Sequence, residues 1–217
     1  MKRRCIAVLG GSFDPVHIGH VALGAYFSQL LQADELRIIP AGNPWQKHGL
    51  HATPADRVAM VRLAFADQPL PVEIDEQEIR RTSATYTIDT LRSLRAELGS
   101  EPSIAFLIGA DQLEHLDDWQ EWRQMFDHAH ICAASRPGFA LDGDQVSPAV
   151  RAVFAQRAGT PQAIRNHAHG CSYLANDLAV DISATGIRAA LLHKERPEKL
   201  VPPGVLDYIE QHNLYKS

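Results

Sequence analysis

Apolar and polar residues are arranged along the chain in two different patterns. Short continuous apolar runs, bounded by glycine, proline or charged residues, are typical of strands buried in a sheet. Longer stretches in which apolar residues recur every three or four positions favour helices. The pattern predicts strands over residues 5–9, 35–40, 72–75, 103–109 and 129–134. It predicts helices over residues 21–33, 55–66, 88–98, 119–126, 148–156, 183–193 and 203–212.

Capping residues mark some of these boundaries. Thr53 is followed by Pro54 and by an acid, Asp56, at the third helical position, which is typical of a helix start. Gly99 ends the helix over residues 88–98. Residues 135–170 give the weakest pattern, with loop residues around the one helix at 148–156.

Strands that alternate with helices form parallel sheets, because each right-handed crossover places a helix against the sheet. We therefore expect an α/β fold: a Rossmann-like, doubly wound parallel sheet with helices on both faces and a small C-terminal helical part. No repeat, low-complexity tract or shift in composition divides residues 1–217, so a single domain is expected. Ligands of such sheets bind at the carboxyl ends of the strands.

Composition and charge narrow the class of protein. The chain has 217 residues, 45% hydrophobic and 22% charged, as is typical of a soluble globular protein. A formal net charge of −5, without a Lys/Arg-rich run, argues against a nucleic-acid partner. No apolar segment approaches the roughly 20 residues of a membrane helix, so no membrane partner is expected. The 3 widely spaced cysteines suggest neither a disulfide framework nor a zinc site, which favours a reduced, cytoplasmic protein.

The turn after the first strand carries the first candidate chemistry. Gly10 and Gly11 end the apolar run and a helix follows, an arrangement in which backbone N–H groups bind phosphate. The turn lacks the third glycine of dinucleotide-binding loops and the Lys-Ser/Thr of the ATPase P-loop. Instead, His17 and His20 lie beside it, on one face if the chain there is helical. Two histidines alone make a poor zinc site, so no metal site is predicted. The plainer interpretation is a strand–turn–helix corner with two incidental histidines.

A second segment, near the other end of the sequence, points to the same chemistry. Ser183 fits an N-cap, so N–H groups of the helix that follows would face a ligand. Arg188 lies about one turn further on and can donate to the same anion. Alone, this segment is more typical of an ordinary capped helix with a surface arginine. Its pairing with the glycine turn favours an anion site.

The two segments together resemble the bacterial nicotinate mononucleotide adenylyltransferases, members of the nucleotidylyltransferase superfamily. The superfamily signatures are residues 10–20 and 182–188, and class I aminoacyl-tRNA synthetases share the His-x-Gly-His part. Further matches lie at residues 38–40, 47–48, 84–87, 90–91, 108–111, 119, 135–138 and 208–215. The resemblance thus covers nearly the whole chain except about residues 139–170. The segment 85–87 and Trp119 are what point to a pyridine substrate.

The resemblance implies that the adenylyl group of ATP is transferred to nicotinate mononucleotide, giving nicotinate adenine dinucleotide and pyrophosphate in NAD biosynthesis. In the family the mononucleotide phosphate attacks the α-phosphorus in line, with no covalent enzyme intermediate. Catalysis then rests on positioning and charge stabilisation, since that phosphate is already a competent nucleophile. Mg²⁺ is the implied cofactor, carried on the ATP phosphates rather than in a protein cage. ATP and nicotinate mononucleotide are the implied partners, and the sequence does not indicate an oligomeric state.

The resemblance also implies roles for individual residues. His17, His20 and Arg188 would be catalytic, stabilising charge on the α-phosphate and the leaving group. The ATP-binding residues would be Gly10, Gly11, Ser12, Phe13, Gly109, Asp111, Arg136, Ile182, Ser183, Thr185 and Arg188. The mononucleotide-binding residues would be Lys47, Thr85, Tyr86, Thr87, Trp119 and Gln120. Trp119 would stack on the pyridine ring, and backbone N–H groups at Thr87 and Gln120 would receive the nicotinate carboxylate.

Several of these residues have plainer alternatives. Trp119 can be core packing, Asp111 can cap its helix, and Lys47 can be solvated. Residues 43–47 also depart from the Pro-Pro-His pattern of many family members. That departure leaves a phosphate contact open between Lys47 and His48.

Two other functions stay open. One is another small adenylyltransferase of the same superfamily, such as the phosphopantetheine enzyme, although that enzyme is shorter and has no obvious use for the Trp119 segment. The other is a non-catalytic nucleotide-sensing module on the same fold. A tRNA synthetase would need an anticodon-binding region and a basic surface, which 217 residues at a net charge of −5 do not accommodate.

Overall fold

A parallel sheet forms the centre of the computed structural model, which describes residues 3–43, 50–135, 141, 143–176, 178 and 182–216. Its strands are β1 (Cys5–Gly11), β2 (Glu35–Pro40), β3 (Val72–Ile74), β4 (Ser103–Gly109), β5 (His130–Ala134) and β6 (Ser172–Ala175). The strands lie in the order β3-β2-β1-β4-β5-β6, and every neighbouring pair is parallel. The order runs outward from β1 in one direction and from β4 in the other, as in doubly wound folds.

Helices connect the successive strands, and two more helices follow the last strand. They are α1 (Ile18–Leu30), α2 (Pro54–Ala64), α3 (Thr87–Leu98), α4 (Pro148–Gln156), α5 (Pro161–Asn166), α6 (Ala184–Leu192) and α7 (Pro203–Gln211). Two 3₁₀ helices, Ala110–Asp118 and Trp122–Asp127, follow β4. Across the described residues, none of the helices combines the length and the apolar character needed to cross a bilayer.

Strand periodicity divides the apolar residues into two cores, one on each face of the sheet. In β1, Cys5, Ala7 and Leu9 enter one core, whereas Ile6 and Val8 enter the other. Apolar residues of α1, α2, α5, α6 and α7 pack in the first core, and those of α3, α4 and the 3₁₀ helices pack in the second. The predicted doubly wound sheet with helices on both faces and a helical C-terminal part is confirmed. Because one sheet underlies both cores, we keep the prediction of a single domain over residues 1–217.

One predicted helix, over residues 119–126, is wrong. The chain forms a 3₁₀ helix earlier, over Ala110–Asp118, and Trp119 ends it in an extended conformation with φ −75° and ψ 138°. Glu121 then adopts a left-handed conformation, with φ 50°, before the second 3₁₀ helix begins at Trp122. A single left-handed residue cannot continue a right-handed helix, so the segment is divided there.

Helix α5 lies within residues 135–170, the region with the weakest sequence pattern. It begins at a threonine followed by proline, and the Thr160 hydroxyl accepts the Ala163 N–H at 3.1 Å. The same arrangement begins α2, where Thr53 accepts the Asp56 N–H at 3.2 Å as predicted. The Thr160-Pro161 pair was therefore a readable signal for α5.

A buried histidine joins β5 to the segment before β6. His130 is 0% exposed; its Nδ1 accepts the Cys171 N–H, and its Nε2 lies 3.0 Å from the carbonyl oxygen of His167. Both contacts suit a neutral ring that carries its proton on Nε2. Burial lowers the pKa of His130 to about 4.

This histidine is expected to make stability depend on pH. In the unfolded chain the ring titrates near its usual pKa of about 6.5, so between pH 6.5 and 4 the unfolded state binds more protons than the folded state. The His130 contribution is therefore fully present above pH 6.5 and falls by about 2 kcal/mol between pH 7 and pH 5. Urea unfolding at the two pH values measures it, and His130→Asn should remove the corresponding part of the pH dependence.

The matched control is His115→Asn, since the side chain of His115 is 69% exposed. This variant should keep the wild-type pH dependence. Equal pH dependence in His130→Asn and wild type would contradict the prediction.

Candidate active site

A cavity of about 660 Å³ opens at the carboxyl ends of the central strands. β1 ends at Gly11 and β4 at Gly109, and the two strands are paired neighbours, with Leu9 opposite Leu107. The strand order reverses between β1 and β4, which is where open parallel sheets bind ligands. Gly10, Gly11 and Gly109 all line the cavity.

The first wall of the cavity is the start of α1. His17 is the N-cap residue of this helix, and its backbone N–H donates to Nδ1 of His20 at 3.2 Å. The two imidazole rings stack with centroids 3.7 Å apart, and the ring of Phe13 packs edge-on against His20 at 4.9 Å. Because Nδ1 of His20 accepts a hydrogen bond, a neutral His20 carries its proton on Nε2. His20 is thus held as a donor beside the glycine turn.

The opposing wall is the start of α6. The Ser183 hydroxyl accepts the Gly186 N–H at 3.1 Å, so the predicted N-cap is confirmed. One nitrogen of Arg188, Nη1, donates to the carbonyl oxygen of Asp14 at 2.6 Å, and Nη2 donates to the Thr185 hydroxyl at 3.2 Å. The fold therefore brings the two candidate anion segments together, although 174 positions separate Asp14 from Arg188.

Charge in this half of the cavity favours an anion. Neither α1 nor α6 has an acidic residue in its first turn, whereas α2 and α3 carry Asp56 and Asp89 there. The partial positive charge of both helix N-termini is therefore not offset by a side chain of the same helix. Together with the Arg188 guanidinium and the two imidazoles, they form a site suited to phosphate groups.

The remaining wall is formed by the start of α3 and the end of the first 3₁₀ helix. Thr85, Thr87 and Trp119 line it. Trp119 is half-buried, and its indole Nε1 is buried with no hydrogen-bond acceptor within the described part of the chain. An aromatic face, a buried N–H and a helix N-terminus suit a planar ring that carries an anionic group.

Comparison with known proteins gives the family. Residues 8–190 match the cytidylyltransferase-like family model. A probable nicotinate-nucleotide adenylyltransferase of Herminiimonas arsenicoxydans is 66% identical over 214 residues, which cover 99% of this chain and 98% of the relative. The chain belongs to the nicotinate-nucleotide adenylyltransferases. A second probable nicotinate-nucleotide adenylyltransferase, of Laribacter hongkongensis, is 42% identical over 100% of this chain and 97% of its own.

Solved structures agree on the fold of this adenylyltransferase. Plasmodium falciparum nicotinic acid mononucleotide adenylyltransferase complexed with NaAD superposes with a TM-score of 0.75, covering 98% of each chain at 20% identity. A putative nicotinate-nucleotide adenylyltransferase from Vibrio parahaemolyticus superposes with a TM-score of 0.64 at 16% identity, over 99% of this chain and 96% of the other.

Most of the residues proposed from the sequence lie around the one cavity. These are Gly10, Gly11, Ser12, His17, His20, Thr85, Thr87, Gly109, Asp111, Trp119, Ile182, Ser183, Thr185 and Arg188. Phe13 lies behind the wall, fully buried against His20, and Tyr86 and Gln120 are not among the lining residues. Lys47, His48 and Arg136 fall outside the described residues. The roles of all these residues in this adenylyltransferase stay predictions.

Six polar residues that also line the cavity were not among the predicted site residues: Asp14, His51, Glu78, Thr90, Gln112 and Ser135. Asp14 lies within the glycine-turn motif itself, so its position was readable there. Glu78 gave no local signal, because its contacts come from segments that are distant in sequence. The Thr90 hydroxyl donates to the Glu78 carboxylate at 2.7 Å.

Glu78 connects the loop after β2 to the start of α3. Its carboxylate accepts the hydroxyl of Thr90. Burial raises the pKa of Glu78, although the hydrogen bond from Thr90 opposes the shift. Thr85 in turn donates its N–H to the carbonyl oxygen of Asn43 at 3.0 Å. The wall near α3 therefore depends on close contact between residues 41–43 and Glu78.

Gly42 is expected to be intolerant of a side chain. A Cβ at this position would overlap the carbonyl oxygen of Glu78, a backbone atom that cannot rotate away. Gly42→Ala should lower the free energy of unfolding by about 1–3 kcal/mol, the usual cost of overpacking. Urea unfolding measures the change.

The matched control is Gly204→Ala, where the nearest atom to a new Cβ is Leu63 Cδ2 at 4.0 Å. Its effect should stay within about 0.5 kcal/mol. If Gly42→Ala were as stable as Gly204→Ala, the contact between the two segments would not be as close as described.

Proposed function

We propose that this protein transfers the adenylyl group of ATP to nicotinate mononucleotide, giving nicotinate adenine dinucleotide and pyrophosphate. The observation that carries the proposal is that a single cavity joins two unlike halves. One half has an arginine, two histidines and two helix N-termini, and suits a triphosphate. The other half has Trp119 and the N-terminus of α3, and suits a pyridine ring with a carboxylate.

The phosphate half would supply most of the catalysis. Arg188 and the N–H groups at the start of α6 would hold the β- and γ-phosphates as they depart. His17 and His20 would donate to the α-phosphate and to the bridging oxygen, where negative charge develops as the bond breaks. His20 fits this role because its Nδ1 is engaged with the His17 N–H, which leaves Nε2–H as the donor. Gly109 and Asp111 would border the adenosine.

The acceptor half would align the nucleophile. Trp119 would stack on the pyridine ring, and the Thr87 N–H at the start of α3 would receive the nicotinate carboxylate. The mononucleotide phosphate would then attack the α-phosphorus in line with the leaving pyrophosphate. No side chain has to act as a base, since that phosphate is already ionised.

We propose that Mg²⁺ is a cofactor carried by the ATP phosphates. The described residues contain no group of three or more His, Cys, Asp or Glu side chains arranged to hold a metal ion. This donor set fits a cation that is held by phosphate oxygens rather than by a protein cage. Bound there, Mg²⁺ would neutralise part of the charge on the leaving pyrophosphate.

We also propose that the protein acts in the cytoplasm. Its cysteines, Cys5, Cys132 and Cys171, all lie in the described residues and are not joined by disulfides. Thiols of this kind persist in reducing compartments.

The acceptor preference tests the proposed reaction. Pyrophosphate release is measured with ATP and Mg²⁺ against nicotinate mononucleotide, nicotinamide mononucleotide and phosphopantetheine. Nicotinate mononucleotide should give a kcat/KM at least about tenfold above that of the amide, because backbone N–H donors bind a carboxylate more strongly than a neutral amide.

Each of the other outcomes rejects part of the proposal. Preference for phosphopantetheine would contradict the assignment of Trp119 and the start of α3 to a pyridine nucleotide. Equal kcat/KM for the two pyridine nucleotides would contradict the role of the α3 N-terminus in binding the nicotinate carboxylate. ATP binding without pyrophosphate release from any acceptor would identify a nucleotide-sensing module instead.

The histidines test the catalytic half. His17→Ala and His20→Ala should each lower kcat about 100-fold or more, the usual cost of losing a donor to a developing charge. The melting temperature should remain close to that of the wild type. His193→Ala, at an exposed histidine outside the cavity lining, is the control and should keep wild-type kcat. Wild-type turnover in His17→Ala would rule out the assigned role.

A further inference from the structure

The carboxylate of Asp14 is almost completely buried beside the cavity, at 1% exposure. Its Oδ2 accepts the His51 N–H at 2.8 Å, and its Oδ1 accepts the Ala52 N–H at 3.0 Å. A third donor, the hydroxyl of Tyr215, lies 2.7 Å from Oδ1. A buried carboxylate needs such donors to replace the water that it loses, so these hydrogen bonds determine where residue 14 lies.

Tyr215 reaches this carboxylate from 201 positions away in the chain. The side chain is mostly buried, at 9% exposure, and the backbone is left-handed, with φ 60°. Bulky residues seldom adopt that conformation, so packing and the hydrogen bond to Asp14 hold it. Burial and the neighbouring Asp14 carboxylate raise the pKa of Tyr215, which keeps its hydroxyl a neutral donor.

The backbone of the same turn receives two arginines. The carbonyl oxygen of Asp14 accepts Nη1 of Arg188 at 2.6 Å, and that of Ser12 accepts Nη1 of the fully buried Arg57 at 2.8 Å. Residues 12–14 thus lie between the glycine turn and His17, and they hold the guanidinium of Arg188 from one side. A shift of Asp14 would move the proposed triphosphate contacts without touching the acceptor wall.

We propose that Tyr215 is a positioning residue for the bound triphosphate. Its hydroxyl holds the Asp14 carboxylate, and the Asp14 backbone in turn holds Arg188 beside the turn that leads to His17. Tyr215 itself touches neither substrate and is not among the residues lining the cavity. The inference rests on the proposed function, because the proposed function places the ATP phosphates in the half of the cavity that contains Arg188 and His17.

A second tyrosine offers a matched comparison. The hydroxyl of Tyr208, on α7, also donates to an aspartate, reaching Oδ1 of Asp56 at 3.0 Å. Neither Tyr208 nor Asp56 lines the cavity. Both tyrosines therefore donate a hydrogen bond to an aspartate carboxylate. Only the partner of Tyr215 belongs to the glycine turn.

The test compares Tyr215→Phe with Tyr208→Phe, since each change removes one hydroxyl and keeps the ring. Loss of a hydrogen bond to a charged group is expected to lower kcat/KM for ATP about tenfold in Tyr215→Phe. The KM for nicotinate mononucleotide should stay at the wild-type value in both variants. Tyr208→Phe should keep the wild-type kcat/KM for ATP, although it also loses a tyrosine–aspartate hydrogen bond. Circular dichroism and the melting temperature show whether both variants fold.

A measurement of ATP binding separates this inference from the proposed reaction. Isothermal titration calorimetry with a non-hydrolysable ATP analogue and Mg²⁺ should show about tenfold weaker binding in Tyr215→Phe and unchanged binding in Tyr208→Phe. That result supports the positioning role even if the wild type fails to turn over nicotinate mononucleotide, an outcome that would reject the reaction alone. Equal ATP affinity in Tyr215→Phe and Tyr208→Phe would overturn the positioning role. The role would also be overturned if Tyr215→Phe lowered only the fraction of folded protein and left both KM values unchanged.

Discussion

A buried carboxylate needs hydrogen-bond donors, and most of the site is held in place by the donors that surround Asp14. Its side chain collects the N–H groups of His51 and Ala52 and the hydroxyl of Tyr215, while its carbonyl oxygen receives Arg188. These donors come from α6, from the segment before α2 and from the residues after α7. The turn that follows β1 is therefore held by contacts from three separate parts of the chain.

The sheet places that turn where an anion can be used. β1 and β4 are neighbours whose crossovers leave in opposite directions, so their carboxyl ends are not covered by a connecting helix. The N-termini of α1 and α6 face the resulting cavity without acidic residues in their first turns. In the proposed reaction, phosphate affinity would arise from backbone dipoles as much as from side chains, so a net negative charge of the protein would not prevent it from binding an anionic substrate.

Two buried polar side chains away from the site, Arg37 and His130, connect separate elements of the fold through hydrogen bonds. Arg37 on β2 is 2% exposed and donates to Glu35, Glu73 and Glu97, which joins β2 to β3 and α3. Breaking such a buried pair is far more costly than losing an exposed one. The same principle holds for His130, whose neutral ring connects β5 to the segment before β6.

Local pattern alone predicted β1 to β5 and most of the helices, because burial on both faces requires continuous apolar runs and helix starts require particular caps. Cys5 to Leu9, the Thr53 cap and the Ser183 cap were all readable in this way, and so were the two segments proposed to bind anions. Trp119 and α5 were misjudged: a left-handed Glu121 divides one segment, and the Thr160-Pro161 signal was overlooked in the other.

Only the tertiary structure decided which residues meet. The Glu78–Gly42 contact and the Tyr215–Asp14–Arg188 connection join residues far apart in sequence, and no local spacing encodes such contacts. Their partners are selected by three-dimensional packing, since a buried polar group accepts whichever donor the fold brings within reach.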